Sequence, residues 1–394
     1  MSFLRAARAA LASQSGLSRI LVVAIVVLAG LFLSCGSSSH GLLAGSNHNA
    51  YVTLPQSGSV LLLYINGATG AITLGAQTPS VENSSPAGLA LLGSKKFLYA
   101  ANSRADTISI FNVASDGTLT LTGTPTPAAG STPNAAVIDP SGKYLLVTNT
   151  NSSGSVSVFS IDSGSGALSE LTASGSPFFA NEYPTEILIT PSGKFVYTTN
   201  PGLGTITAFT FSNGVLTKVP GSPFPSLPGG GGGAFGLAVD ESERFLYVAN
   251  PSAPNPLLGT AGNVSGFNID PVTGALSQIL GSPFTSTAGS GPTVLTVDPS
   301  GRFLYATTAG SSSSVWCFQI NPANGQLVTV ANSPFSLAAG GLFALFDPSG
   351  NYFYIGTGNG IAGYTYSSST GVPTAITGSP FSTGTPPGKM VLSE

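Results

Sequence analysis

A short phrase rich in aromatic and aliphatic residues occurs seven times along this chain of 394 residues. The third residues of successive phrases lie 47 to 58 positions apart. Repeats of about 40–50 residues that consist of short strands are typical of β-propeller blades. The repeat therefore predicts an all-β fold over residues 48–394, a seven-bladed β-propeller with four-stranded blades. The third residues are Tyr51, Tyr99, Leu146, Tyr197, Tyr247, Tyr305 and Tyr354.

Each repeat also carries motifs that predict turns and strands. A segment that alternates apolar residues with Ser or Thr, such as 107–111, predicts a half-buried strand. A Gly-x-Leu segment and a Ser-Pro-Phe segment follow it in most repeats. Tight turns before the phrase combine an Asp or Thr that bonds its own backbone, a Pro that sets φ, and a Gly that takes positive φ. These turns are 139–142, 190–193, 298–301 and 347–350.

The two ends of the repeat array complement each other. The first repeat begins at the strand of Tyr51 and lacks an innermost strand of its own. The last residues, 387–392, match the innermost strand of other repeats, such as 184–189. The C-terminus is therefore predicted to complete blade 1 and close the ring, which removes the free edges of an open array.

The first 35 residues differ from the repeats. Three arginines precede an apolar run of 14 residues, 20–33, which is too short to span a bilayer comfortably and matches the core of a secretory signal. Ser34-Cys35 follows and resembles the end of a bacterial lipoprotein signal. We expect a signal peptide over 1–35 that ends at a lipidated Cys35, then a flexible tether over 36–47. An ordinary signal peptide or a short membrane anchor is the alternative; either way we expect the propeller to be exported.

The composition excludes several classes of function. Charged residues make up 7% of the chain, the formal net charge is −3, and 95–96 is the longest run of basic residues, so no nucleic-acid partner is expected. Apart from Cys35 only Cys317 is present, which excludes a disulfide framework. His40 and His48 lie before the blades or at their edge. A histidine-based metal site and a Ser-His-Asp triad are therefore excluded, and no cofactor or metal is expected.

Alignment of the predicted innermost strands identifies a candidate site in the central channel. Two aligned positions carry charges, Glu186 of blade 4 and Lys389 of the closing strand, on nearly opposite sides of the ring. A charge in a channel is costly unless it is solvated or paired, so this pair is predicted to orient a ligand. The alternative is that channel water solvates both groups and no ligand binds. The aligned positions are Gly88, Ala135, Glu186, Gly236, Val294, Phe343 and Lys389.

Few other charges fall on the loops around the predicted channel mouth. Arg104, Asp106 and Tyr183 are predicted to help Glu186 and Lys389 bind the ligand. The longest of these loops contains 251–260 and is a candidate contact surface. The glycine run 229–233 is not followed by Lys-Ser or Lys-Thr, so it is interpreted as a flexible connection rather than a phosphate loop.

The repeated phrases with their following Asn, at 99–102, 197–200 and 247–250, look like YVTN-type propeller repeats. Together with the turns and the Gly-x-Leu segments, they resemble the lactonase propeller family, which includes bacterial 6-phosphogluconolactonase. The resemblance covers about residues 48–394. It implies a lactone hydrolase in which Glu186 or Glu182 is the general base and Arg104 or Lys389 polarises the carbonyl. Lactone-hydrolysing members use histidine beside arginine and acidic groups, and the blades here contain no such histidine.

Two functions are compatible with these residues. The expected one is an exported, lipid-anchored propeller that acts as a binding or protein-interaction scaffold in the cell envelope. The alternative is a lactonase-family hydrolase, similar to 6-phosphogluconolactonase, that acts on a sugar lactone. The catalytic candidates are Glu186, Glu182 and Arg104. The expected partners are the membrane, through Cys35, and a protein or carbohydrate-like ligand at the channel mouth; the chain is expected to be a monomer.

Overall fold

The computed structural model describes residues 47–128, 130–228, 233–251, 262–285, 291–309, 313–337 and 340–393. Across these residues the chain forms short strands that are grouped into seven sheets arranged as the blades of a β-propeller; each sheet has four main strands, and four of the sheets have a short fifth strand. The predicted fold class is confirmed. In the part of the chain that is described, no helix is long and apolar enough to cross a membrane.

The strands are numbered in chain order. Blades 1 to 3 contain β1 (His48–Leu54), β2 (Ser59–Ile65), β3 (Ile72–Gln77), β4 (Pro86–Leu91), β5 (Phe97–Asn102), β6 (Thr107–Val113), β7 (Leu119–Leu121), β8 (Thr126–Pro127), β9 (Pro133–Ile138), β10 (Tyr144–Asn149), β11 (Ser155–Ile161), β12 (Leu168–Glu170), a short 3-10 helix (Thr172–Ser174) and β13 (Phe178–Phe179). Blades 4 and 5 contain β14 (Glu186–Ile189), β15 (Phe195–Asn200), β16 (Thr205–Ser212), β17 (Val215–Lys218), β18 (Phe224–Pro225), β19 (Leu237–Val239), β20 (Phe245–Asn250), β21 (Asn263–Ile269) and β22 (Leu276–Gln278). Blades 6 and 7 contain β23 (Pro292–Val297), β24 (Phe303–Thr308), β25 (Ser314–Ile320), β26 (Leu327–Thr329), β27 (Phe335–Ser336), β28 (Phe343–Phe346), β29 (Tyr352–Thr357), β30 (Gly360–Tyr366) and β31 (Pro373–Ala375), and the chain ends with β32 (Met390–Leu392).

The C-terminal strand closes the ring as the sequence predicts. In blade 1 the strand order is β3-β2-β1-β32, and β32 runs antiparallel to β1 with Met390 opposite Val52 and Leu392 opposite Ala50. The Thr53 amide donates to the Lys389 carbonyl at 2.9 Å, which extends the pairing by one position. The first and last described strands of the propeller therefore share one sheet, and β32 covers the inner edge of β1.

The repeated phrase forms the second strand of each blade, and its third residue joins neighbouring blades. The buried Tyr247 hydroxyl of blade 5 donates to the Gly325 carbonyl of blade 6 at 2.8 Å. Five other tyrosines make the same bond to the next blade, at 2.7–3.0 Å. Blade 3 has Leu146 at this position, and there Tyr144 packs edge-on against Phe211 of blade 4. These bonds are Tyr51 to Gly117, Tyr99 to Gly166, Tyr197 to Gly274, Tyr305 to Gly371 and Tyr354 to Gly70.

The glycine that accepts this bond is required for two reasons. Gly325 has a φ of 73°, a conformation that residues with a Cβ seldom adopt. A Cβ on Gly325 would also lie 2.5 Å from the Phe245 ring, at the start of the phrase in the preceding blade. The Gly-x-Leu segment of one blade therefore packs against the phrase of the blade before it.

The turns form as their residues predict. In blade 6 the Asp298 carboxylate accepts the amides of Arg302 at 2.8 Å and Phe303 at 2.6 Å, and it also takes the Ser300 hydroxyl. Asp298 is 2% exposed, so its charge is buried but fully hydrogen-bonded. In blade 4, Thr190 replaces the Asp; its Oγ1 accepts the Phe195 amide at 3.3 Å and lies 3.4 Å from Ser192 Oγ.

The Ser-Pro-Phe segments extend the outer part of the blades. Ser222 Oγ accepts the Ala208 amide of β16 at 2.9 Å, and the chain then returns along β16 as β18. Ser176, Ser282, Ser333 and Ser379 make the equivalent bond at the same distance. The serine hydroxyl thus accepts a hydrogen bond from a strand amide at the point where the regular pairing with the outermost strand stops.

The core lies between the blades. One cluster combines Tyr51 and Leu62 of blade 1 with Leu98 and Phe111 of blade 2. Cys317 is fully buried in a comparable cluster between blades 6 and 7. Burial raises the pKa of its thiol to about 12, so this cysteine stays protonated near neutral pH and packs as a small apolar residue.

Candidate functional site

The innermost strands bring the aligned positions to the same level of the channel. Glu186 pairs with Thr199, Val294 with Thr307 and Phe343 with Gly356, each one residue before the end of the neighbouring strand. Lys389 lies opposite Thr53 in the same register, because Met390 pairs with Val52. The structure thus brings the two predicted charges to one level of the channel.

Glu186 and Lys389 form a direct ion pair. Lys389 Nζ lies 2.6 Å from Glu186 Oε2, although the two residues belong to blades 1 and 4, which are not neighbours. The side chains are 35% and 27% exposed for Lys389 and Glu186, so both still contact solvent. A partly exposed pair contributes about 0–1 kcal/mol to stability, and a ligand can therefore separate it at small cost.

The backbone of both residues is held firmly. The Lys389 amide donates to Thr53 Oγ1 at 2.9 Å, and its carbonyl accepts the Thr53 amide. Glu186 is in register with Thr199 at the start of β14. Glu186 Oε1 takes no hydrogen bond from any residue that the structure describes. One carboxylate oxygen is thus paired with the ammonium group, and the other is available to a water or a ligand.

Two cavities adjoin this ion pair. One of about 150 Å³ lies among the innermost strands and is lined by the pair together with apolar residues such as Leu237, Val294 and Phe343. The other, of about 310 Å³, is here named the mouth cavity. It is lined by Asn134, Thr185, Glu186, Phe235, Gly236, Thr293, Val294, Ala309, Gly341, Leu342 and Lys389. Its volume is at the lower end of the range for small-molecule sites, about 300–1,000 Å³.

Glycine allows the innermost strands to approach closely around this site. A Cβ on Gly236 would lie 2.7 Å from the Thr293 carbonyl oxygen of the next blade. A Cβ on Gly88 would lie 2.3 Å from the Asn134 carbonyl oxygen. The small residues at the aligned positions therefore narrow the channel, and this narrowing lets Glu186 and Lys389 reach each other.

Arg104 and Asp106 lie apart from the ion pair. Arg104 is exposed and lines a separate cavity of about 280 Å³ between blades 1 and 2, together with Glu82. Asp106 has a φ of 54°, and its carboxylate accepts the Thr132 amide at 2.6 Å. Asp106 thereby holds two loops of the mouth together, and neither residue lines the mouth cavity.

Glu182 and Tyr183 lie on the rim. Both are exposed, and neither lines the mouth cavity. Their backbone is fixed, because Asn200 Nδ2 donates to the Glu182 carbonyl at 3.1 Å and the Tyr183 amide donates to the Asn151 carbonyl at 2.9 Å. The structure thus groups Glu186 with Lys389 and separates them from the other four predicted site residues.

Sequence reasoning did not identify Phe235, which forms one wall of the mouth cavity. Its ring is 37% exposed and packs over Gly233, where an added Cβ would lie 2.7 Å from the ring. The available signal was a lone aromatic residue two positions after the glycine run and directly before the aligned Gly236.

This arrangement supplies a carboxylate, an ammonium group and an apolar wall within one cavity. A carboxylate can hold a water as a general base, and an ammonium group can stabilise an oxyanion. Among the described residues, no group of three or more His, Cys, Asp or Glu side chains is placed to hold a metal ion.

Solved structures with the same fold include several sugar-lactonase-like proteins. A candidate 6-phosphogluconolactonase from Bacteroides fragilis has a TM-score of 0.74 and 22% identity, over 89% of this chain and 99% of that one. A second from Bacteroides uniformis has a TM-score of 0.73 and 20% identity, over 88% and 99%. The periplasmic gluconolactonase of Pseudomonas aeruginosa has a TM-score of 0.71 and 18% identity, over 89% and 99%. At these identities the likeness shows the fold alone.

The family assignment rests on the sequence itself. No curated protein matches the chain. The profile of the family described as lactonase, 7-bladed beta-propeller, matches residues 37–181 and 222–343, which together are more than half of the chain. The protein belongs to the seven-bladed lactonase propeller family.

Proposed function

We propose that this protein hydrolyses a sugar lactone at the mouth of its channel. The observation that carries the proposal is the Glu186–Lys389 pair, a partly exposed carboxylate and ammonium group 2.6 Å apart beside the mouth cavity. Membership of the lactonase propeller family supports this function over a purely structural role for the pair. The scaffold function expected from the sequence becomes the second candidate.

The reaction needs only these two side chains and water. Glu186 Oε1 holds a water and takes its proton as the water oxygen bonds to the lactone carbonyl carbon. The carbonyl oxygen becomes an oxyanion beside the Lys389 ammonium group, which stabilises the developing charge. The ring C–O bond then breaks, and Glu186 returns the proton to the leaving ring oxygen. The product is an open-chain hydroxy acid, and both side chains regain their initial states.

Replacement of the base tests this function. Glu186→Gln keeps the size of the side chain but cannot accept a proton, so we expect kcat for D-glucono-1,5-lactone to fall by about 100-fold or more. Initial rates above the spontaneous hydrolysis measure this effect. Glu241→Gln, in an exposed turn on the opposite face, is the matched control and should keep full activity. Unchanged kcat in Glu186→Gln, or no hydrolysis across a panel of sugar lactones by the unmodified protein, would refute the proposal.

The second candidate is a binding scaffold in the cell envelope. It is favoured by the direct contact between Lys389 and Glu186, since two groups that neutralise each other can orient a ligand without acting on it. In that case a sugar or sugar lactone should raise the melting temperature of the protein without turnover. The shift should disappear in Lys389→Ala, and a shift that persists in this variant would contradict binding at the pair.

An exported, lipid-anchored location belongs to the same proposal. The apolar run 20–33 followed by Ser34-Cys35 supports it, and these residues lie outside the described part of the chain. Cells grown with labelled palmitate should label the protein but not a Cys35→Ser variant. Labelling that survives this substitution would contradict lipidation at Cys35.

A further inference from the structure

The mouth cavity is lined by both apolar and polar side chains. The apolar ones are Val294, Phe235 and Leu342, and the last two are 37% and 42% exposed. The polar ones are Asn134, Thr185, Thr293 and the Glu186–Lys389 pair. A ligand that matches this lining combines a face of C–H groups with hydrogen-bonding oxygens.

The backbone of Phe235 is held in place before any ligand arrives. The Phe235 amide donates to the Ala249 carbonyl at 2.9 Å, and its carbonyl accepts Thr199 Oγ1 of the neighbouring blade at 2.7 Å. Gly233 lies directly under the ring, because a Cβ at this position would lie 2.7 Å from it. A ligand on the ring therefore does not have to order this part of the backbone.

The face of the propeller that surrounds the mouth cavity has a small negative net charge. The loops and strand starts on this face carry two cations, Arg104 and Lys389, and four acids, Glu82, Asp106, Glu182 and Glu186. Arg104 lies in a different cavity, and Lys389 is neutralised by Glu186. The undescribed residues between 47 and 393 contain no charged side chain, so no further cation is available from them. A phosphate group needs several cationic or amide donors, and this cavity supplies one cation that is already paired.

We propose that the mouth cavity recognises an unphosphorylated sugar lactone whose ring lies flat on Phe235, and that it discriminates against the phosphorylated form. This inference rests on the proposed function and adds the substrate class to it. Phe235 contributes binding energy to the sugar ring, while Lys389 and the water held by Glu186 act on the lactone carbonyl.

The role of the ring is tested with Phe235→Leu, which keeps an apolar side chain but removes the flat face. With D-glucono-1,5-lactone we expect KM to rise by about three- to ten-fold, the range of an aromatic contact, with kcat within two-fold of the unmodified protein. Phe179→Leu is the matched control, because Phe179 is also an exposed aromatic residue but lines neither channel cavity. Equal KM values for the two variants would overturn the role of Phe235.

The charge argument is tested with 6-phospho-D-glucono-1,5-lactone. We expect its kcat/KM to be at least ten-fold below that of the unphosphorylated lactone in the same buffer. Equal or greater kcat/KM for the phosphorylated lactone would overturn the proposed discrimination.

A non-reacting sugar separates this inference from the proposed hydrolysis. Saturation-transfer NMR with methyl β-D-glucopyranoside should show stronger transfer to H1, H3 and H5, which share one face of the ring, than to H2 and H4. This preference should be lost in Phe235→Leu and weak for glucose 6-phosphate. If no lactone is hydrolysed but this pattern is found, the hydrolysis fails and the ring site stands. If lactones are hydrolysed and no such pattern is found, the ring site is wrong.

Discussion

At the scale of single residues, the most repeated side chain acts between blades rather than within one. The phrase tyrosines are fully buried, and six of them donate their hydroxyl to a glycine carbonyl of the next blade. Burial raises the pKa of Tyr51 to about 12, so its hydroxyl remains protonated and able to donate at physiological pH. The sequence showed that tyrosine recurs, but the partner across the blade interface is visible only in the assembled ring.

Tyr247→Phe should destabilise the protein by about 1–3 kcal/mol, because the buried Gly325 carbonyl loses its donor while the ring stays in place. The midpoint of urea unfolding, followed by circular dichroism, measures this loss. Tyr64→Phe, at a side chain that is 39% exposed, is the control and should change the free energy of unfolding by less than about 0.5 kcal/mol. Equal midpoints for the two variants would show that the hydroxyl bond does not stabilise the interface.

The candidate site could be predicted in part from the same residue-level reasoning. Glu186 and Lys389 were identified because each breaks a column of small or apolar residues, and the structure brings them together. Arg104 was grouped with them because it is a charged residue on a mouth loop, yet it lines another cavity. Loop residues meet only if their blades lie close enough around the ring and their loops project far enough. The number of residues between blades does not reveal how far each loop projects.

At the scale of elements, the turns were predicted well because their chemistry is local. The turn is stabilised mainly by hydrogen bonds made by four successive residues, Asp, Pro, Ser and Gly. The outer edge of the blade was predicted less completely. The sequence showed that a Ser-Pro-Phe segment recurs, but it did not show that in most blades this segment pairs again with the third strand. That pairing depends on an amide of another strand that the local sequence does not reveal.

Asp298→Ala should destabilise blade 6 strongly. The substitution leaves the Arg302 and Phe303 amides without their acceptor, and we expect a loss of about 3 kcal/mol in the free energy of unfolding. Thermal or urea unfolding measures it. Asp298→Thr imitates the natural turn of blade 4, where Thr190 accepts the Phe195 amide, and should lose less than Asp298→Ala. An equal loss in both variants would contradict the role assigned to this acceptor.

At the scale of the whole molecule, the ring is held by its ends as well as by its blade contacts. Strand β32 completes blade 1, and Lys389 directly precedes this strand. Lys389 therefore reaches the channel only when the ring is closed. The proposed active site and the closure of the fold therefore depend on the same few residues.

Deletion of residues 387–394 should lower the melting temperature by more than about 10 °C or prevent folding, since blade 1 loses its innermost strand and exposes the edge of β1. Differential scanning calorimetry measures the change. Lys389→Met within the full chain is the control, because it removes the ion pair but keeps the strand, and it should shift the melting temperature by only a few degrees. An unchanged melting temperature in the deletion would contradict ring closure by β32.

The sequence by itself determined the number of blades, their strands and turns, the closing strand and the family, because each of these depends on short-range patterns that recur at a regular interval. Only the tertiary structure decided which distant residues meet. It placed Lys389 on Glu186, put Phe235 beside them and moved Arg104 to another cavity. The physical reason is that a closed ring joins positions hundreds of residues apart, and the glycines that let its inner strands approach set the final distances.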